Sequence, residues 1–146
     1  MKGPGRKFFA AGYQNFVNRQ LTFNGDSMTL LRLFLALSTV AIFAISIYAA
    51  QTRGVNWPAV FFSDLLHLDW RSQFNFDFLI HLFLLATWVS WREGFTSKGH
   101  AFGFLSIFMG GMFGFPYLLH ATYKAHGDPA RILLGVHAGR LSDQSA

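Results

Sequence analysis

Asp77 and His81 are the residues of this sequence whose types and spacing best suit proton chemistry. They are four positions apart, so on a helix they share one face, which Leu84 or Leu85 and then Trp88 continue. A carboxylate beside an imidazole can exchange a proton with a substrate, or orient the imidazole while it binds a ligand. The same pair can also serve structure alone by hydrogen bonding within itself. Under an enzymatic function, Asp77 and His81 are therefore the candidate catalytic residues.

His81 and His120 are the candidate cofactor-binding residues. His120 ends an apolar stretch that we expect to run antiparallel to the stretch holding His81, so both imidazoles are predicted near one membrane surface. Two imidazoles in such positions could share a haem or a pigment. No cofactor motif accompanies them, the chain has no cysteine, and no metal site is predicted.

A row of small residues predicts a helix-packing face. Gly103, Ser106, Gly110 and Gly114 fall within about 40° of one another on a helical wheel. Gly110 and Gly114 have the spacing that lets two helix backbones approach closely. Another helix of the same chain, a partner subunit or a flat cofactor could cover this face. Pro116 lacks an amide hydrogen and predicts a kink just after the glycines.

The turn around Arg92, Glu93 and Lys98 holds a second candidate acid. With three charged side chains so close in sequence, we expect a solvated turn. Alternatively, Glu93 could protonate a lipid-like substrate if burial kept it protonated. Asp64, His67 and Asp69 in the preceding loop could bind a cation, although they match no fixed ligand spacing.

Membrane helices must position all of these residues. The chain has 146 residues, of which 52% are hydrophobic, 18% aromatic and only 13% charged, and its mean hydropathy is +0.31, too apolar for a soluble domain. Three stretches match the roughly 20 apolar residues that cross a bilayer, namely 29–50, 73–93 and 100–122. We therefore predict an all-α integral membrane protein with three transmembrane helices plus short interfacial amphipathic helices.

Three segments organise the predicted chain. Residues 1–27 form a basic, aromatic segment that is interfacial or disordered, and residues 28–124 form the three-span membrane domain. Residues 125–146 form an interfacial helix, capped by Asp128, and a tail. Within the membrane domain, Pro58 is expected to open a short helix lying on the membrane.

The distribution of charge predicts an orientation. The net charge of +5 is scattered rather than gathered in a basic stripe, which argues against a nucleic-acid partner. Three predicted spans place seven Lys and Arg residues on the N-terminal side (Lys2, Arg6, Lys7, Arg19, Arg32, Arg92, Lys98) and five on the other (Arg53, Arg71, Lys124, Arg131, Arg140). This difference favours a cytoplasmic N-terminus in a bacterial inner membrane.

The order of features from Met28 to Lys124 resembles a bacterial family of small multi-span membrane proteins without an established function, some of whose members are described as terpene-cyclase-like. The resemblance lies in the segments GVNWPAVFFSDL, SQFNFDFLIHLFLLATWVSWRE and GGMFGFPYLL, which include Asp77 and Glu93. It implies the membrane topology, and for some members an activity on an isoprenoid.

Two functions from different classes follow. The first is a non-catalytic accessory or assembly subunit of a larger respiratory or photosynthetic membrane complex, which docks through the row from Gly103 to Gly114. Its partners would be the lipid bilayer and other membrane subunits, or further copies of this chain. The alternative is a membrane-embedded acid–base enzyme acting on an isoprenoid or lipid. Asp77 and Glu93 would lie about 24 Å apart on one helix, so only Asp77 with His81 could act together.

Overall fold

The computed structural model describes residues 25–139, and every regular element in this part of the chain is a helix. The elements are α1 (Gly25–Arg53), α2 (Trp57–Leu66), α3 (Trp70–Arg92), α4 (Ser97–Met109), α5 (Gly111–Lys124) and α6 (Pro129–Leu134), and a 3-10 turn follows at Gly135–His137. The predicted all-α class is confirmed. Most of the predicted N-terminal segment 1–27, and the tail from residue 140, lie outside the described residues.

Helices α1 and α3 are long and apolar enough to cross a membrane. They contain 29 and 23 residues, and only 6% and 11% of their most apolar windows are buried within the chain. The core helix of a soluble protein would be mostly buried, whereas these helices present large apolar side chains outward. The protein therefore associates with a membrane, and helices are confirmed at the first two predicted spans.

The third predicted span is wrong, because residues 100–122 do not form one helix. The chain breaks at Gly110, which has φ +52° and ψ −125°, a conformation that side-chain-bearing residues rarely adopt. The resulting helices α4 and α5 have 13 and 14 residues, or about 20 Å each. Neither is long enough to cross a hydrocarbon core of about 30 Å. Pro116 lies inside α5, so the break falls at the glycine rather than after it.

The chain reverses direction at Gly110. A Cβ at Gly103 would lie 2.9 Å from the carbonyl oxygen of Ala86, and Gly99 approaches Ser90, so α4 runs antiparallel to α3. Gly110 then lies beside Leu82, Gly114 beside Leu85 and Tyr117 beside Trp88, so α5 runs parallel to α3.

Helices α4 and α5 therefore form a hairpin that enters and leaves at the same end of the molecule. Its tip lies level with Leu82, about 15 Å along α3 from Arg92 and about 18 Å from Trp70. A backbone break at this depth is tolerated in a membrane where protein surrounds it, and side chains of α3 pack against Gly110. The hairpin does not extend along α3 beyond Phe78 toward Trp70, and there α3 contacts α2, with the Ser72 hydroxyl donating to the Asp64 carbonyl oxygen at 2.9 Å.

One end of the molecule gathers most of the described cations. Arg32 of α1 donates to the Thr122 carbonyl oxygen of α5 at 3.0 Å, and Met28 packs with Ala125 and Ile132, so α1 begins where α5 ends. We call this the basic end; it holds Arg32, Arg92, Lys98, Lys124 and Arg131, whereas Arg53 and Arg71 lie at the opposite end, the α2 end. The predicted placement of Lys124 and Arg131 on the side opposite Arg92 is wrong, because the hairpin returns the chain.

Pro58 opens α2 as predicted, and an ion-pair cluster follows it at the α2 end. Pro58 lies in the first turn of α2, and the Asp69 carboxylate accepts a hydrogen bond from the Arg71 amide at 2.8 Å to cap α3. The Arg71 side chain also donates to Asp69 and lowers the pKa of that carboxyl group. Because Asp64 and Asp69 both pair with Arg71, at 3.4 and 3.1 Å, they serve an ion-pair cluster.

The contact between α3 and α4 gives a first prediction. Replacing Gly103 by alanine places a Cβ against the Ser90 hydroxyl and the Ala86 carbonyl, so the helices must separate. We expect Gly103→Ala to destabilise the protein by about 1–3 kcal/mol. Gly25→Ala is the control, because its Cβ would meet no atom within 4 Å. Thermal unfolding in detergent, followed by circular dichroism, measures both; equal midpoints would contradict the packing.

Candidate functional site

The Asp77–His81 pair lies on the outside of α3. The capped start of α3 places Asp77 two turns into the helix, and His81 follows one turn later. His81 Nδ1 lies 2.7 Å from the Asp77 carbonyl oxygen and 3.6 Å from its carboxylate Oδ2. A carbonyl oxygen only accepts, so Nδ1 carries the hydrogen and Nε2 is left to accept a proton or a donor. The pair is local to one helix turn.

Both side chains are more than half exposed, although they lie within a helix that is long and apolar enough to span a membrane. The exposed fractions are 59% for Asp77 and 65% for His81. Further along the same face, Leu85 contacts Gly114 and Trp88 contacts Tyr117, so α5 covers it there. Between the hairpin tip and the α2 end, α5 no longer covers this face. We call that part of the face, formed by Phe74, Asp77 and His81, the uncovered face.

The structure does not bring His120 to His81. His120 lies on α5 beyond Tyr117, which itself contacts Arg92, so His120 is at the basic end. His81 lies about 17 Å along α3 from Arg92. The two imidazoles therefore sit at different depths, and the expectation that both lie near the α2 end is wrong. Within residues 25–139 no group of three or more histidine and acidic side chains could hold a metal ion.

The row of small residues is occupied within the chain. Gly103 and Ser106 are buried, with Gly103 against Ser90 and Ala86 of α3. Gly110 forms the hairpin turn, and Gly114 touches Leu85. The packing alternative within the same chain is therefore confirmed. This row offers no free face to another subunit or to a flat cofactor.

Arg92 is the centre of a buried polar cluster at the basic end. Its side chain is only 8% exposed and its Nε donates to the Ile132 carbonyl oxygen at 2.7 Å. Its Nη1 lies 3.0 Å from Glu93 Oε1 and 2.7 Å from the Tyr117 hydroxyl, which donates to the same Glu93 oxygen at 2.7 Å. Among described residues, no buried side-chain polar atom lacks a partner. The cluster joins α3, α5 and α6.

This cluster corrects the expectation of a solvated turn. Arg92 and Glu93 are held by Tyr117 and Ile132, which are 25 and 40 positions from Arg92. Gly135 packs closely on Arg92 in this cluster, since a Cβ there would collide with the Arg92 backbone and side chain. Its contact with Arg92 is visible in the structure and not in the sequence. Glu93 is engaged in this ion pair, and it lies at the end of the helix that carries Asp77. The structure therefore does not combine Asp77 and Glu93 into one acid–base site.

A cleft of about 690 Å³ lies at the basic end, where α4, α5, the end of α3 and residues 131–139 meet. Phe102, Met112 and Phe113 line its apolar part, and the rings of Phe102 and Phe113 lie 5.6 Å apart. Lys98, in the first turn of α4, and Lys124, at the end of α5, line it at the ends of these helices that are away from the hairpin tip. A volume of this size is typical of sites for small molecules. The sequence gives no signal for the cleft, because it forms only when the chain reverses at Gly110.

The chain matches no protein-family model, no curated protein and no solved structure. The fold itself defines the class, an all-helical membrane-associated protein with two long apolar helices and a helical hairpin that returns to its own end. The features of the structure that bear on its function are the uncovered face, the Arg92 cluster and the cleft.

Proposed function

We propose that the protein is a non-catalytic accessory subunit of a larger membrane complex, and that a transmembrane helix of another subunit docks on the uncovered face. The observation that carries the proposal is the exposure of Asp77 and His81 above the tip of the hairpin. The uncovered face replaces the row of small residues as the proposed docking surface, because α3 of the same chain already covers Gly103. A bacterial respiratory or photosynthetic complex is the class of assembly that we infer.

The energetic reason is the cost of leaving ionisable groups in lipid. A charged carboxylate near the centre of a membrane helix costs roughly 2.5–3.5 kcal/mol. The hydrogen bond from His81 goes to the Asp77 carbonyl, and the closest approach to the carboxylate is 3.6 Å, so Oδ1 and Oδ2 are poorly satisfied within the chain. A partner helix that presents a hydrogen-bond donor opposite Asp77 would offset this cost. Phe74, 70% exposed, would add apolar contact beside the pair.

The charge distribution supports a cytoplasmic basic end. Among described residues, five Lys and Arg side chains lie at the basic end and two at the α2 end, as assigned above. Basic residues flanking membrane helices concentrate on the cytoplasmic side. We therefore infer that α1 begins, and α5 ends, at the cytoplasmic face of the bacterial inner membrane.

The experiment is purification of the tagged protein from its native membranes in mild detergent. We expect a particle far larger than the 16.5 kDa chain with its detergent, containing other membrane subunits. Asp77→Leu should reduce the co-purified subunits about tenfold, a loss of about 1.4 kcal/mol in binding. Thr87→Val is the matched control, since Thr87 is exposed on a different face of α3 and its hydroxyl donates to the Phe83 carbonyl of the same helix.

Two outcomes would contradict this function. A wild-type particle that contains only this chain, as a monomer or homo-oligomer, would remove the accessory subunit and favour the acid–base enzyme with Asp77 and His81. Equal recovery of partners with Asp77→Leu and with wild type would show that docking uses another surface.

A further inference from the structure

The cleft beside α4 and α5 has apolar side chains near the hairpin tip and cationic side chains at its other end. Phe102, Met112 and Phe113 lie closer to the hairpin tip, and Lys98 and Lys124 lie at the far ends of α4 and α5. The apolar part is therefore directed toward the membrane interior and the cations toward its surface. A phospholipid molecule has the matching arrangement, with its charged headgroup at the membrane surface and its apolar acyl chains in the membrane interior.

Two of the cations that line the cleft, Lys98 and Lys124, are not neutralised by an ion pair within the described chain. Arg92 donates hydrogen bonds to Glu93, Tyr117 and two backbone carbonyls. Arg131 pairs with Asp128 at 3.4 Å. Lys98 lies 5.1 Å from the centre of the Phe102 ring but forms no ion pair, and Lys124 has none either among residues 25–139. Two positive charges are thus left in the lining of the cleft, to which His120 also belongs.

We propose that this cleft binds an anionic phospholipid of the surrounding bilayer, with the phosphate between Lys98 and Lys124 and an acyl chain against Phe102 and Phe113. Basic pockets between membrane helices are suited to anionic headgroups. The volume of about 690 Å³ accommodates a headgroup and the first part of a chain rather than a whole lipid. This binding is independent of the uncovered face, which lies on the other side of the hairpin tip.

The test uses the purified full-length protein in neutral detergent, and native mass spectrometry counts the lipids retained. The probes are dioleoyl phosphatidylglycerol, dioleoyl phosphatidylcholine and glycerol phosphate. We expect one bound phosphatidylglycerol, and at least tenfold weaker retention of phosphatidylcholine. In Lys98→Gln with Lys124→Gln, affinity for phosphatidylglycerol should fall about 30-fold, since each basic residue near a membrane surface contributes about a factor of five.

The matched control removes the same charge from the other end of the molecule. Arg53→Gln with Arg71→Gln also lowers the net charge by two, but both residues are at the α2 end. Equal losses in the two double variants would overturn the site in favour of unspecific attraction. Binding of glycerol phosphate as tight as that of phosphatidylglycerol would overturn the lipid source in favour of a soluble phosphate. Circular dichroism of each variant checks that a loss of binding is not a loss of fold.

Discussion

Arg92→Ala is expected to abolish stable folding of the basic end. The substitution removes every donor that Arg92 gives to the Ile132 carbonyl, Glu93 and Tyr117, and leaves the Glu93 carboxylate, only 18% exposed, beside a hydroxyl. Breaking a buried ion pair by removing one partner costs about 3–5 kcal/mol, a large part of the stability of a small protein. We expect the thermal unfolding midpoint in detergent to fall by more than 10 °C.

Arg92→Lys and Arg71→Ala make this prediction specific. Lysine keeps the charge but not the planar set of donors that reaches Ile132 and Tyr117 together, so Arg92→Lys should recover only part of the stability. Arg71 is 57% exposed, and its surface pairs with Asp64 and Asp69 are worth about 0–1 kcal/mol. An Arg92→Ala protein as stable as Arg71→Ala would contradict the role of the cluster.

The hairpin predicts that Ser97 and Arg131 lie on one side of the membrane and Arg53 on the other. Single cysteines can report this because the natural sequence has none. In intact cells, a membrane-impermeant maleimide should label Arg53→Cys, while Ser97→Cys and Arg131→Cys should be labelled only after the membrane is opened. These positions are exposed, and the described ion pair of Arg131 is with Asp128, so each cysteine reports membrane sidedness rather than burial.

A third complete span would give a different pattern. Arg131→Cys would then be labelled together with Arg53→Cys and apart from Ser97→Cys, whichever way the protein is inserted. The experiment therefore separates the hairpin from three crossings without depending on the orientation inferred from charge. If Ser97→Cys and Arg131→Cys are labelled in intact cells and Arg53→Cys is not, the hairpin stands and the cytoplasmic basic end is wrong.

Features set by a few neighbouring residues are predictable from the sequence. Asp128 caps α6 by accepting hydrogen bonds from the Ala130 and Arg131 amides, and Pro58 opens α2, as their residue types require. Asp77 and His81 share a face because their spacing places them one helix turn apart. None of these features needs a contact from a distant part of the chain.

The path of the chain after α3 is different. Residues 100–122 are apolar almost throughout, and nothing in their periodicity separates one long helix from two short ones. The positive φ of Gly110 is accessible to glycine but not demanded by it. What selects the reversal is the set of distant contacts that it allows, between Tyr117 and Glu93 and between Thr122 and Arg32.

The sequence by itself determined that this chain is helical and apolar enough to associate with a membrane, where its two long helices lie, and that Asp77 and His81 occupy one face. Composition and local spacing carry this information, because burial in lipid and helix geometry act residue by residue. Only the tertiary structure decided that Arg92 is buried, that α3 covers the small residues, and that a cationic cleft opens between α4 and α5. The burial of Arg92 and the cleft depend on groups brought together across the reversal at Gly110, and the cover of Gly103 depends on the turn between α3 and α4. Such tertiary contacts override the local helix propensity of the chain.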